Sequence, residues 1–192
     1  MKRPVDDIAS QIDALHRRTD HRFERTTAAI GQPIGCGRGC FSCCVDELTV
    51  WQVEADRIAA FVQTRLDEDP ARKWTVGRPG ACAFLAPSGR CQVYPARPYV
   101  CRSQGAVLRW FELPEQGPEQ QRRATCSEHL QGVDLADLES AAVFDIGPAE
   151  EELAALATAA HVRRGGADLP RRVLLRDLAS NLFAPNGAEG DD

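Results

Sequence analysis

Seven of the chain's eight cysteines fall between Cys36 and Cys101, in two blocks: Cys36-Gly-Arg-Gly-Cys40-Phe-Ser-Cys43-Cys44, then Cys82, Cys91 and Cys101. A tight turn can aim cysteines three or four apart at one ion, and distant cysteines then close the site. The start, Met-Lys-Arg-Pro-Val-Asp-Asp, has no apolar stretch behind its basic residues and does not read as a secretion signal. A cytoplasmic location is therefore expected, where thiols stay reduced. Clustered cysteines in that setting read as metal ligands or redox groups before they read as disulfides. The adjacent pair Cys43-Cys44 narrows the options. Neighbouring Cα atoms lie about 3.8 Å apart, below the roughly 4.4–6.8 Å usual for a disulfide. Neighbouring side chains in extended backbone also point apart. The two thiols thus serve two centres, or one of them stays free. The set matches two four-ligand zinc sites, a binuclear site with shared thiolates, or one iron–sulfur cluster with spare thiols.

The 192 residues suit one domain with a helical extension, and 43% apolar content is enough for a core. No run approaches the roughly 20 apolar residues of a membrane span. The net charge of −5 is unevenly spread. Residues 36–110 carry ten basic and seven acidic groups, whereas residues 111–192 carry seven and sixteen. The arginine excess over the cysteine block can offset the negative charge of thiolate sites, and it is too weak to imply nucleic acid binding.

Helical periodicity places Val5, Ile8, Ile12 and Leu15 on one face of a helix spanning residues 4–30, continued by Phe23 and Ile30. Glycines at 35, 37 and 39 suit a tight chelating loop. A second helix is expected from Val50 to Leu66, opened by a capping box of Thr49 and Gln52. Residues 67–79 read as a polar connector. Ala81–Phe84 and Cys91–Tyr94 read as short strands around the turn Pro87-Ser88-Gly89-Arg90, and Pro95–Arg102 as a short helical turn. Three further helices are expected: Leu135–Phe144, Pro148 to Gly165-Gly166, and Pro170 to Phe183. The whole is mainly α, with short irregular strands around the cysteines and helices on either side. Residues 1–30 form an N-terminal helix, 31–130 a cysteine-cluster metal-binding domain, 131–185 the C-terminal helices, and 186–192 an acidic disordered tail.

At this point the motifs carry a resemblance. Cys36, Gly39-Cys40 and Cys43-Cys44 are followed by Thr49…Glu54-Ala55, Cys82-Ala-Phe84-Leu85, Gly89-Arg-Cys91-Gln-Val-Tyr94 and Arg97-Pro98-Tyr-Val-Cys101-Arg102. Over roughly Cys36 to Arg102 the chain resembles the YkgJ-type CxxCxxCC cysteine-cluster proteins, described as zinc- or iron-chelating domains. Its first gap is three residues where the family name implies two. The resemblance implies a metal site and leaves the biological role unspecified. Cysteine clusters of this kind also resemble those of flagellin lysine methylases, which would imply an iron–sulfur or metal-dependent enzyme. Cys36-x3-Cys40-x2-Cys43 also has the spacing of radical SAM enzymes. The aromatic Phe41, however, stands next to the second cysteine instead of before the third, and a chain with few strand signals lacks the partial barrel.

The expected ligands are thus Cys36, Cys40, Cys43, Cys44, Cys82, Cys91 and Cys101, holding zinc or iron, with a [4Fe–4S] cluster as an alternative form of the iron. Cys126 with His129 forms a weaker Cys-x2-His half site, equally readable as core residues. Arg97 and Arg102 either donate to metal-bound sulfurs or an anion, or clamp the turn through backbone carbonyls. His16 and His21 read as solvated, His161 as suited to a helix C-terminus, and Tyr94 and Tyr99 as core. No His-Glu-x-x-His, phosphate loop or Gly-x-Ser-x-Gly names a general base or nucleophile, which favours a binding module over an enzyme. A thiol-redox role through Cys43 or Cys44 is the remaining class. A metal ion is the expected partner.

Overall fold

The computed structural model describes residues 4–35 and 39–183; Cys36 and the expected tail at 186–192 lie outside them. A long first helix, α1 (Pro4–Ala29), buries Ile8, Ile12 and Leu15 along one face. Thr19 and Thr26 sit on the same side with their hydroxyls returned to the carbonyls of Leu15 and Arg22, which lets two polar side chains be buried. After the cysteine loop comes a short strand, β1 (Thr49–Trp51), leading directly into α2 (Gln52–Glu68).

Helix α2 is the shared wall of two cores. Val53 faces a cluster with Ile12 and Leu15 of α1, Tyr99, Phe144, Leu153 and Ala157. Ala55, Ile58 and Val62 face a second cluster with Cys82, Phe84, Val93, Leu175 and Ala179. The first cluster is closed by α4 (Gly147–Arg163), which begins with a proline in its first turn and is followed by Gly165 at φ +86°, the usual start and stop signals. The second is closed by β5 (Arg172–Leu174) and α5 (Leu175–Phe183). Antiparallel pairing of β5 with β1, Val50 opposite Val173, is what brings α5 alongside α2.

A second sheet has the order β3-β2-β4. Strands β2 (Val107–Glu112) and β3 (Gln120–Ala124) form an antiparallel hairpin, and β4 (Val143–Asp145) runs parallel to β2 with Val107 opposite Val143. In the chain between α2 and β2 come a 3-10 turn at Tyr94–Ala96 and the four-residue α3 (Tyr99–Arg102), close to the turn expected from the two prolines.

Several sequence expectations are corrected. The segment expected as a helix over 135–144 is two 3-10 turns, Leu135–Asp137 and Ser140–Ala142, followed by β4. The Asp134 carboxylate caps the Ala136 N–H at 2.9 Å, and pairing with β2 then draws Val143 and Phe144 into a strand. Tertiary pairing outweighs the local helical signal. The Thr49–Gln52 capping box is absent: the residue before α2 is Trp51, the Thr49 hydroxyl accepts from Arg172, and Gln52 donates to Asp56. The expected strands at 81–84 and 91–94 reduce to two isolated bridges, Val45 with Ala81 and Leu85 with Cys91. The β2–β3 hairpin is an addition, since its polar residues give no strand alternation. His16 is buried at 2% exposure, not solvated, and Tyr94 is exposed with Arg97 stacked over its ring.

Two outcomes check this packing. Phe144, fully buried between α1 and α4, should cost about 3–5 kcal/mol when replaced by alanine. The half-exposed Phe111 should stay within about 0.5 kcal/mol; urea denaturation of both variants measures the contrast. Burial lowers the His16 pKa below 6.5, so protons bind preferentially to the unfolded chain. Stability from this group is present above pH 6.5 and is lost as pH falls below it, at up to about 1.4 kcal/mol per pH unit. Denaturation between pH 5 and 7 on wild type and His16→Gln should show a shallower slope for the variant.

Candidate metal centre

Three separate loops present cysteines to one place. The first loop carries Cys40, Cys43 and Cys44, and a tight turn brings the Cys44 N–H to the Phe41 carbonyl at 2.9 Å. The Cys44 carbonyl then accepts the Cys82 N–H at 2.8 Å, which ties the first cysteine block to the second. The chain around Cys82 is locked from behind. The Gly77 N–H donates to the Ala83 carbonyl at 2.7 Å, and a Cβ at position 77 would lie 2.2 Å from the Cys82 carbonyl oxygen, so only glycine fits there. Arg176 of α5 adds a further clamp, gripping both Asp46 oxygens at 2.8 Å and the carbonyls of Gly77, Arg78 and Ala81. Cys91 follows a turn at Gly89, φ +74°, where an added Cβ would meet the Phe41 ring at 3.4 Å. Cys101 rides on α3.

Six thiols, those of Cys40, Cys43, Cys44, Cys82, Cys91 and Cys101, line a cavity of about 750 Å³. Phe23 of α1, Phe84, Tyr94, Arg97 and Arg102 complete much of its wall. None of the seven described cysteines is in a disulfide. Among the described residues, no three His, Cys, Asp or Glu side chains are gathered tightly enough to enclose an ion; the thiols form a wall around open space. Cys126 and His129 are not part of that wall. His129 is buried, its Nδ1 2.8 Å from the Gly105 carbonyl and its Nε2 without a partner.

The electrostatics of the thiols follow from this crowding. Cys44 donates a hydrogen bond to Cys43, which pulls the Cys43 pKa down to about 6 and pushes that of Cys44 up. Burial raises Cys82, and raises Cys91 to about 11. Cys101 is driven up by burial and then by the charges of Cys82, Cys91 and Cys43. For the buried thiols of Cys82, Cys91 and Cys101, ionisation without a compensating cation meets low dielectric and the neighbours' charge. A thiophilic cation supplies that compensation, so the donor set fits a bound metal.

Residues 35–128 match the model of the CxxCxxCC family, "Putative zinc- or iron-chelating domain". The match spans just under half of the chain, and over that stretch the chain is similar to CxxCxxCC domains. The matched segment includes every cysteine of the cavity wall and reaches Cys126, while α1, α4 and α5 lie outside it. No curated protein and no solved structure matches the chain.

Arg97 and Arg102 border the cysteine cavity, yet their donors are turned elsewhere. Arg102 donates from Nε to the Arg97 carbonyl at 2.8 Å, from Nη2 to the Pro95 carbonyl at 3.0 Å, and from Nη1 to Asp20 at 2.5 Å. Arg97 reaches the other Asp20 oxygen at 3.0 Å. Asp20 and Arg176 carry no sequence signal of these roles, since their partners lie on distant segments. Glu54 stood inside a motif without an assigned task. It is 3% exposed, accepts the Tyr99 N–H at 2.7 Å and lies 3.1 Å from His16 Nε2.

In metal-free protein the Cys43 thiolate should react first. Iodoacetamide labelling followed by peptide mass spectrometry should place the earliest adduct on Cys43, half-maximal near pH 6. Cys44→Ala removes the donor and should move that midpoint upward.

Proposed function

We propose that this protein chelates zinc or iron through Cys36, Cys40, Cys43, Cys44, Cys82, Cys91 and Cys101, with Cys36 entering on its sequence position alone. The observation that carries the reading is the convergence of six thiols, five from loops and one from α3, on one cavity. The family match at residues 35–128 supports the same chemistry. A bound zinc or iron would supply positive charge that lets several buried thiolates ionise together and so cross-links the loops that carry them. The Cys43–Cys44 hydrogen bond holds one sulfur ready as thiolate beside a protonated neighbour, which favours entry of a cation at that end of the cavity. Structural zinc contributes about 10–16 kcal/mol of apparent binding energy, against about 5–15 kcal/mol for a whole domain. Residues 39–102, poor in regular structure apart from α2, depend on such a contribution. The protein works in the cytoplasm, and no nucleic acid or membrane partner is part of this reading. Among the described residues, no helix is long and apolar enough to cross a membrane.

A second reading has one observation in its favour. A cavity of about 750 Å³ is in the size range of small-molecule sites, so an iron–sulfur or open metal centre acting on a substrate is the alternative to a purely structural ion.

Elemental analysis of protein purified without oxygen tests the proposal. Stoichiometric zinc in colourless protein, or iron with the broad visible absorption of an iron–sulfur cluster, is the expected result. Cys91→Ser should lose metal and melt at a lower temperature. A metal content unchanged by that substitution would remove Cys91 from the site, and wild-type protein that takes up neither metal would end the reading.

A further inference from the structure

The two arginines that bracket Cys101 share one carboxylate. Asp20 lies on α1, outside the family-matched segment, and each of its oxygens takes one guanidinium: Oδ1 that of Arg97 at 3.0 Å, Oδ2 that of Arg102 at 2.5 Å. The arginines are fixed on their other edges. Arg102, with 5% of its side chain exposed, holds the carbonyls of Arg97 and Pro95, so it ties the ends of the Pro95–Arg102 turn to each other. Arg97 stacks over Tyr94 with its guanidinium carbon 4.2 Å from the ring centroid and donates to the Tyr94 carbonyl at 3.4 Å. One turn further along the same face of α1, Phe23 enters the cavity wall. Cys101 is the residue before Arg102, and Glu54 holds the N–H of Tyr99 two residues before it. The cysteine on α3 is therefore placed by contacts from α1 and α2.

We propose that Asp20 is a positioning residue for the cysteine centre, orienting Cys101 toward the other thiols through Arg97 and Arg102; the inference rests on the metal-chelating reading above. Asp20 does this in two ways. Its carboxylate neutralises part of the charge of two guanidiniums at the cavity wall and keeps them from pairing with thiolates that the metal needs. Its two oxygens also fix the spacing of Arg97 and Arg102, and with it the turn between them. A bidentate carboxylate holding two guanidiniums supplies direction as well as charge. Asparagine keeps the shape and one acceptor but loses the charge and the second acceptor, whereas glutamate keeps both acceptors on a longer arm.

The test uses the full chain loaded without oxygen with zinc(II) or cobalt(II), the latter because its thiolate charge-transfer bands report how many sulfurs bind. Wild type, Asp20→Asn, Asp20→Glu and Cys91→Ser are compared by chelator competition, by the cobalt spectrum and by helicity from circular dichroism. Asp20→Asn should keep wild-type helicity, bind metal about tenfold more weakly, the loss of one charge-assisted hydrogen bond, and show reduced thiolate bands. Asp20→Glu should recover at least part of both. Should Asp20→Asn fail to fold, Arg97→Gln leaves the Asp20–Arg102 pair in place and should show the same spectral change. Wild-type affinity and spectrum in the folded Asp20 or Arg97 variant, alongside loss of metal in Cys91→Ser, would overturn the positioning role alone. Failure of wild type to bind either ion would overturn the metal reading and this role with it.

Discussion

A single buried carboxylate joins the three helices on which the cysteine cavity depends. Glu54 of α2 accepts the backbone N–H of Tyr99 on α3 and meets His16 of α1, with both side chains of the pair almost wholly out of solvent. A carboxylate in such a place is tolerable only while its hydrogen-bonding partners are present. The position of α3, and hence of Cys101, is set by the packing of α1 against α2. Asp20 repeats the arrangement nearer the surface, binding both arginines that flank Cys101. The wall of the cavity made by α3 is thus held by acidic residues of two helices.

The opposite wall is held by a cation. Arg176 of α5 collects Asp46 and three carbonyls from the loop before Cys82, next to the backbone bond joining Cys44 to Cys82. Helix α5 reaches that loop because β5 pairs with β1, and α2 separates the two apolar cores that these elements cover. Rigid regular structure surrounds a region where the chain has little of its own. Burial pushes the thiols of Cys82, Cys91 and Cys101 up, which is the condition in which a cation has most to contribute.

Much of this was legible before the fold was known. The spacing of the cysteines pointed to the six thiols, Cys40, Cys43, Cys44, Cys82, Cys91 and Cys101, that line one cavity, and the family match covers the same stretch. Helices α1, α2 and α4 follow from apolar periodicity and from the punctuation of Pro148 and Gly165. The misreadings share a cause. Leu135–Phe144 has local helical character, yet β4 forms because an edge of β2 was available. The polar strand Gln120–Ala124 has no alternation of its own and exists as the partner of β2. His16 looked like a solvated residue on an arginine-rich helix because the burial of that helix face depends on α2.

The amino-acid sequence by itself determined the donor chemistry and helices α1, α2 and α4, since both arise from neighbours within a few turns of chain. Only the tertiary structure decided that three cysteine loops face one cavity, that Cys126 and His129 stand outside its wall, and that Asp20 meets arginines 77 and 82 residues further along. Those pairings depend on how α1, α2 and α3 pack. Packing is fixed by the burial of whole faces and by the need of buried charges for partners, neither of which is expressed in any local run of residues.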